Sequence, residues 1–295
     1  MMRQPPDSEA SFGDRAFATL QSMLPTRALS AFMFRIAQVR SKLFKQSLIR
    51  WFLHKYPVDL GEAERPRIEQ YEHFNDFFTR ALKPGLRPQP AEPEIFSCPV
   101  DGAISQLGAI RQGQLFQAKG HSYSAAALLA DEELGHSFHN GSFSTIYLAP
   151  HDYHRVHMPC TGRLRSWAYV PGRLFSVNPS TARAVPGLFA RNERMVALFD
   201  TQFGPLALVM VGAIIVGGIE TVWNGRLTPP HRRDVAPTYY QPMRPLLLER
   251  GAELGRFHMG STVILLAPPG ALNWDASLVS GKVVRLGQGL ATMLR

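Results

Sequence analysis

The sequence predicts an α+β protein, with an N-terminal helical, membrane-associated segment followed by a mostly antiparallel β core. Three observations carry this. Residues 16–56 repeat apolar side chains at helical spacing and contain no acid. A proline-rich stretch then interrupts the chain. Beyond it, short runs of Val, Ile, Leu and Phe alternate with Gly, Pro, Asn and Asp, the texture of short strands joined by turns.

In the helical part, Phe32, Ile36, Val39 and Leu43 fall at i, i+4, i+7 and i+11, the rhythm of one helix face. Arg35, Arg40, Lys42 and Lys45 lie largely off that stripe. The string "SLIRWFLHKY" adds Leu48, Trp51 and Phe52 beside Arg50 and Lys55. Arg15 and Arg27 join these cations, and no Asp or Glu stands between Arg15 and Val58. The chain holds 32 Lys and Arg against 23 Asp and Glu, a net charge of +9, and this arm supplies most of the excess. A basic helix with bulky apolar and aromatic side chains suits an anionic membrane surface. The alternative is a helix packed on its own domain with a solvated basic face. Nucleic acid ranks last as a partner, because the basic residues are confined to the arm and no base-stacking motif accompanies them.

The sequence divides into a basic amphipathic helical region (1–83), a Pro-rich linker or loop (84–94, with Pro84, Pro88, Pro90 and Pro93) and a β-rich core (95–295). Within the core, "SAAALLADEEL" predicts a helix over 124–134. The charge-free stretch Thr201 to Ile219 approaches the length of a spanning helix. Its Pro205, four glycines and many Val and Ile residues predict buried strands with a glycine bend instead. Cys98 and Cys160 are too few for a disulfide scaffold in a chain of 295 residues, so a reducing compartment is expected. The N-terminal string "MMRQPPDSEASFGDR" has no apolar stretch of the signal-peptide kind.

Three strings hold residues fit for chemistry. Gly260-Ser261-Thr262 precedes an apolar run; it is either a tight turn or a peptide bond placed for attack by the Ser261 hydroxyl, which would need a base. In "HDYHRVHMPCTG", His151, His154, His157 and Cys160 recur every third residue. That spacing does not converge on one metal ion, on a helix or on a strand, but His154 and His157 share a face if the segment is a helical turn. In "CPVDGAIS", Asp101-Gly102 is either a hairpin turn or an Asp that orients a histidine.

Taken in order, "FNDFFTRALKPGLRP" (74–88), "VDG" with Asp101, "KGHSYSAAALL" (119–129), "DYHRVHMP", "GRLFSVNP" (172–179), "VGAIIVGGIETVWNG" (211–225) and "GRFHMGSTVILL" (255–266) resemble the bacterial phosphatidylserine decarboxylase family. The resemblance runs from about residue 50 to near the end, with Met259 where the family usually has Leu. It implies a proenzyme that cuts itself between Gly260 and Ser261, giving a β chain (1–260) and an α chain (261–295) that stay associated. Ser261 becomes a covalently bound pyruvoyl group, the only cofactor, with no metal and no PLP. That group takes phosphatidylserine as a Schiff base and yields phosphatidylethanolamine and CO2. The resemblance assigns Asp101, His157 and Ser261 to a self-cleavage relay and His154 to proton donation during decarboxylation. It gives His151 no role. It places the lipid near Lys119, Tyr123 and Phe175–Pro179, and the enzyme peripherally on the cytoplasmic face of the bacterial cell membrane; a homodimer is compatible with it. Two alternatives use the same residues: a Ser-His-Asp lipid hydrolase that keeps Ser261, though the Gly-x-Ser-x-Gly elbow is missing, and a non-enzymatic anionic-lipid-binding protein.

Overall fold

The computed structural model describes residues 10–118, 120–214, 218–228 and 237–294; Lys119 lies outside the described residues. The arm is three helices, α1 (Phe12–Met23), α2 (Thr26–Ala37) and α3 (Lys42–Lys55), where the periodicity over 16–56 suggested one continuous face. A capping box between Ser11 and Asp14 starts α1, and the backbone turns at Leu24–Pro25 before α2. Val39 falls in the second break. The stripe it belonged to points mostly outward: Phe32, Val39 and Leu43 are exposed and Ile36 is half-buried, while Phe34, Ala37, Ile49 and Phe52 are buried. Lys45 also departs from the basic face; it is buried and its Nζ donates to the Tyr71 carbonyl.

A short helix α4 (Phe74–Phe78), capped by the His73 ring, packs beneath α3. Ile49 and Phe52 meet Tyr71, Phe74, Phe77 and Phe78 in one aromatic cluster, and Met259 from the far end of the chain packs against it. Each fully buried Phe contributes roughly 2–3 kcal/mol through removal of apolar area from water. Residues 84–94 hold no helix or strand.

The core is β-rich. Its largest sheet runs β12 (Thr238–Tyr240), β7 (Gly162–Val170), β8 (Arg194–Thr201), β9 (Gly204–Val211), β15 (Ser261–Ala267), β5 (Ser142–Leu148), β2 (Gly102–Ala109) and β17 (Val283–Val284), with β13 (Leu247–Leu248) paired to β7. A second sheet orders β11 (Gly225–Arg226), β10 (Gly218–Thr221), β14 (Glu253–His258) and β6 (Arg155–His157). A third joins β1 (Ile95–Ser97), β18 (Gly289–Met293) and β16 (Leu272–Trp274); β3 (Gln114–Ala118) pairs with β4 (His121–Ser124). The assigned pairings in all four sheets are antiparallel.

The charge-free stretch has a plain cause. Leu206, Leu208 and Met210 of β9 enter one hydrophobic cluster, and Ala207, Val209 and Val211 enter another on the opposite face. A strand covered on both faces reads as a continuous apolar run. Among the described residues, no helix is long and apolar enough to cross a membrane. The helix expected over 124–134 is two, α5 (Ala125–Leu129) and α6 (Glu132–His136); Ala130 breaks it at φ 57° and the Asp131 side chain caps the second. Asp101-Gly102 is no hairpin turn, because β1 pairs with β18 and β2 with β5.

Candidate active site

The chain leaves the second sheet at His258, the last residue of β14, and enters the largest sheet at Ser261, the first of β15. Only Met259 and Gly260 connect them, and both have positive φ, 86° and 67°. A Cβ on Gly260 would meet nothing within 4 Å, so the backbone angle rather than crowding calls for glycine. Met259 holds an angle that strains a side-chain-bearing residue by about 1–3 kcal/mol, offset by its packing on the aromatic cluster. Ser261 pairs with Leu148 of β5, so the chain running on from Leu148, through Ala149 to His154, leaves the sheet next to this turn.

The histidines do not share a helical turn. His154 precedes β6 and His157 ends it, and their odd spacing sends them to different surroundings. His154 is fully buried, with its ring on Phe78 at 4.2 Å. Its Nδ1 donates to the Asp152 carbonyl at 2.8 Å, and its Nε2 has no hydrogen-bond partner among the described residues. Burial pushes its pKa down to about 3, so the ring is neutral with a lone pair on Nε2. Asp152 is raised by burial, against the Ala149 N–H that donates to Oδ2 at 2.6 Å. His151 stands 3.5 Å from Asp152.

His157 Nδ1 donates to the Gly251 carbonyl at 2.8 Å, and the Tyr153 hydroxyl reaches Nε2 at 3.1 Å. Burial lowers its pKa, and burial lifts Tyr153 to about 12, so the phenol keeps its proton. Asp101 is not hydrogen-bonded to His157. Its carboxylate accepts from Leu286 N at 2.8 Å and from Arg87 Nε and Nη2 at 3.1 and 2.7 Å. Arg87 also holds Glu62 at 2.7 Å, which keeps Glu62 below its ordinary range. The expected direct Asp–His link is therefore replaced by a backbone carbonyl on the histidine and a guanidinium on the carboxylate.

Two groups escaped the sequence reading. Arg87 sits in the proline-rich loop, where only its partners reveal a role. His258 adjoins the Gly-Ser-Thr string; its Nε2 donates to Glu220 Oε2 at 2.8 Å and its Nδ1 accepts from Asn75 Nδ2 at 2.6 Å. Its place two residues before Gly260 was the available signal. Tyr123, Phe175 and Val177 lie in the second hydrophobic cluster, which also holds Ile264 and Leu266 of β15.

A family model described as phosphatidylserine decarboxylase matches residues 74–292, and one described as PSD matches residues 16–57. Phosphatidylserine decarboxylase proenzyme of Pseudomonas aeruginosa (strain LESB58) is 54% identical over 283 residues, covering 95% of this chain and 98% of its own. The proteins of the same description from Pseudomonas entomophila (strain L48) and Pseudomonas putida (strain GB-1) are each 53% identical over 279 residues, covering 94% of this chain and 97% of their own.

Proposed function

The chain belongs to the phosphatidylserine decarboxylase family, and on that premise we propose that it matures by self-cleavage between Gly260 and Ser261. It is an enzyme that converts phosphatidylserine to phosphatidylethanolamine and CO2, and pyruvoyl-dependent chemistry is a feature of the family. The observation that carries the self-cleavage reading is the two-residue crossing at Met259–Gly260, with consecutive positive φ angles immediately before Ser261.

In this reading the Ser261 oxygen attacks the Gly260 carbonyl carbon, and the acyl group moves from nitrogen to oxygen to give an ester. Loss of the Ser261 Cα proton expels the Gly260 carboxylate and leaves dehydroalanine. Water then replaces its nitrogen as ammonia, leaving a pyruvoyl group at the head of the α chain. His157 takes the hydroxyl proton. Its Nδ1 is fixed as a donor by the Gly251 carbonyl, so the lone pair sits on Nε2. Asp101 assists through its charge, which favours the protonated His157.

The residues present fit a pyruvoyl group. Thr262 Oγ1 and His154 Nε2 are buried polar atoms without a hydrogen-bond partner among the described residues, which an added carbonyl or the bound substrate can satisfy. The group supplies an electrophilic ketone for the substrate's amine and an electron sink for the departing CO2. We assign His154 to proton transfer at the carbon that has lost CO2, through Nε2, the ring nitrogen left without a partner while Nδ1 binds the Asp152 carbonyl. Phe78 keeps that nitrogen away from water.

The α chain stays bound because β15 lies between β9 and β5, and β16 to β18 also belong to it. Peripheral membrane association fits the arm, and we assign the contact to α1–α3. Phe12, Leu20, Met23, Phe32, Leu43 and Trp51 are exposed beside Arg15, Arg35, Lys42 and Arg50, a surface suited to an anionic leaflet on the cytoplasmic side. Intact-mass measurement tests the reading. Wild type should give two chains divided at 260–261, the smaller with a blocked N-terminus, and Ser261→Ala a single uncut chain without CO2 release. A Ser261→Ala protein that still divides there refutes the reading, and an undivided wild type that hydrolyses lipid without releasing CO2 would restore the hydrolase alternative.

A further inference from the structure

We propose that His258 is a positioning residue for self-cleavage, holding the acyl side of the scissile bond through its bonds to Asn75 and Glu220; this rests on the reading of Gly260–Ser261 as that bond. The His258 side chain closes one wall of a cavity of about 560 Å³ whose lining includes Phe34 of α2, Asn75 of α4, Glu220 of β10 and Arg256 of β14. It touches three separate parts of the fold. Asn75 binds Nδ1 at 2.6 Å, Glu220 binds Nε2 at 2.8 Å, and Phe34 meets the ring edge-on at 6.1 Å. The Arg226 guanidinium lies over the Phe34 ring at 4.8 Å.

The geometry matters because of where the ring is attached. His258 is the last residue with strand pairing before the crossing, opposite Gly218 of β10. Beyond it the backbone depends on Met259, packed on the aromatic cluster, and Gly260, which touches nothing that would fix a side chain. Attack on a peptide carbonyl requires the nucleophile about 3–3.5 Å from carbon and in line, and a displacement near 1 Å slows such a step about 10²-fold. The ring's two bonds remove rotation and slippage at the β14 end of the crossing. The bond to His258 also keeps Glu220 in place and holds its carboxyl below its ordinary range. After cleavage the same two bonds retain the new C-terminal tail.

The experiment follows conversion of the full chain, synthesised by cell-free translation, into its 1–260 and 261–295 pieces on a denaturing gel with mass confirmation. His258→Leu keeps volume but neither bond; His258→Gln keeps a donor and an acceptor. Expected are a 10- to 100-fold slower conversion for H258L, by the displacement argument, and a rate within about threefold of wild type for H258Q, since its amide can serve both partners. Cooperative melting of each change in the Ser261→Ala background separates positioning from misfolding. Where H258L does not melt cooperatively, Asn75→Ala carries the test, removing one bond and leaving the ring. An unchanged rate for H258L, or for N75A in its place, overturns the inference, as does an H258Q as slow as H258L. Wild type that is not cut at 260–261 overturns the underlying reading instead, and the inference with it.

Discussion

Replacing Asp101 by Asn perturbs the site at its most highly connected carboxylate. Asp101 accepts the Leu286 N–H at 2.8 Å and the Arg87 Nη2 at 2.7 Å, with side chains only 11% and 8% exposed. Asn retains one acceptor oxygen and turns an NH2 toward the guanidinium. One charge-assisted bond is lost, about 1.5–3 kcal/mol. The full 3–5 kcal/mol of a broken buried pair is not reached, because Arg87 keeps Glu62 at 2.7 Å. A loss near 2–3 kcal/mol lowers Tm by about 3–5 °C in a chain of this size. The assay is thermal melting of Asp101→Asn in the Ser261→Ala background, where chain integrity is constant. A shift under about 1 °C, well below that expectation, would refute the claim that this carboxylate anchors Arg87 and the 286 backbone.

Four further outcomes follow from the same geometry. His154→Gln should still self-cleave while CO2 release per pyruvoyl group falls about 10²–10⁴-fold; equal loss of both would sink the assignment. With the folded pKa held near 3 against 6.5, the unfolded chain binds the extra proton, so stability is full above pH 6.5 and declines toward pH 3; H154Q should melt with a flatter profile across that window. Gly102→Ala puts a Cβ 2.5 Å from the Tyr147 carbonyl, next to Asp101, and should destabilise by about 1–3 kcal/mol in chemical denaturation; wild-type stability would show that β2 can shift freely. Leu43→Ser with Trp51→Ser, at sites 81% and 55% exposed, should weaken co-sedimentation with anionic vesicles by about tenfold or more, from the apolar area removed, with no change in Tm.

The sequence carried the fold where periodicity reports burial. The strand runs and the helical arm were legible because alternation and the 3.6-residue rhythm follow from which faces meet water. It left open which way an apolar stripe faces: Phe32 and Leu43 keep helical spacing, and spacing alone does not say whether protein or lipid covers them. Breaks at Val39 and Ala130 were unreadable, since neither residue ordinarily ends a helix. In the site, Ser261, His154 and His157 could be picked out by residue type and order. The Arg87–Asp101 pair and the Asn75–His258–Glu220 set could not, because their partners stand 14 to 183 positions apart and only the folded sheets bring them into contact.

The placement of β15 inside the largest sheet has a further consequence under the proposed division at 260–261. Unfolding the mature enzyme would set two molecules free, and recovery would become a second-order encounter that dilution opposes. The smaller piece would carry a strand whose six core residues, Thr262 to Ala267, are almost wholly hidden in the native state, a segment prone to self-association when released. The precursor can refold from a single chain; the finished catalyst should denature irreversibly, its lifetime governed by an unfolding rate rather than by an equilibrium.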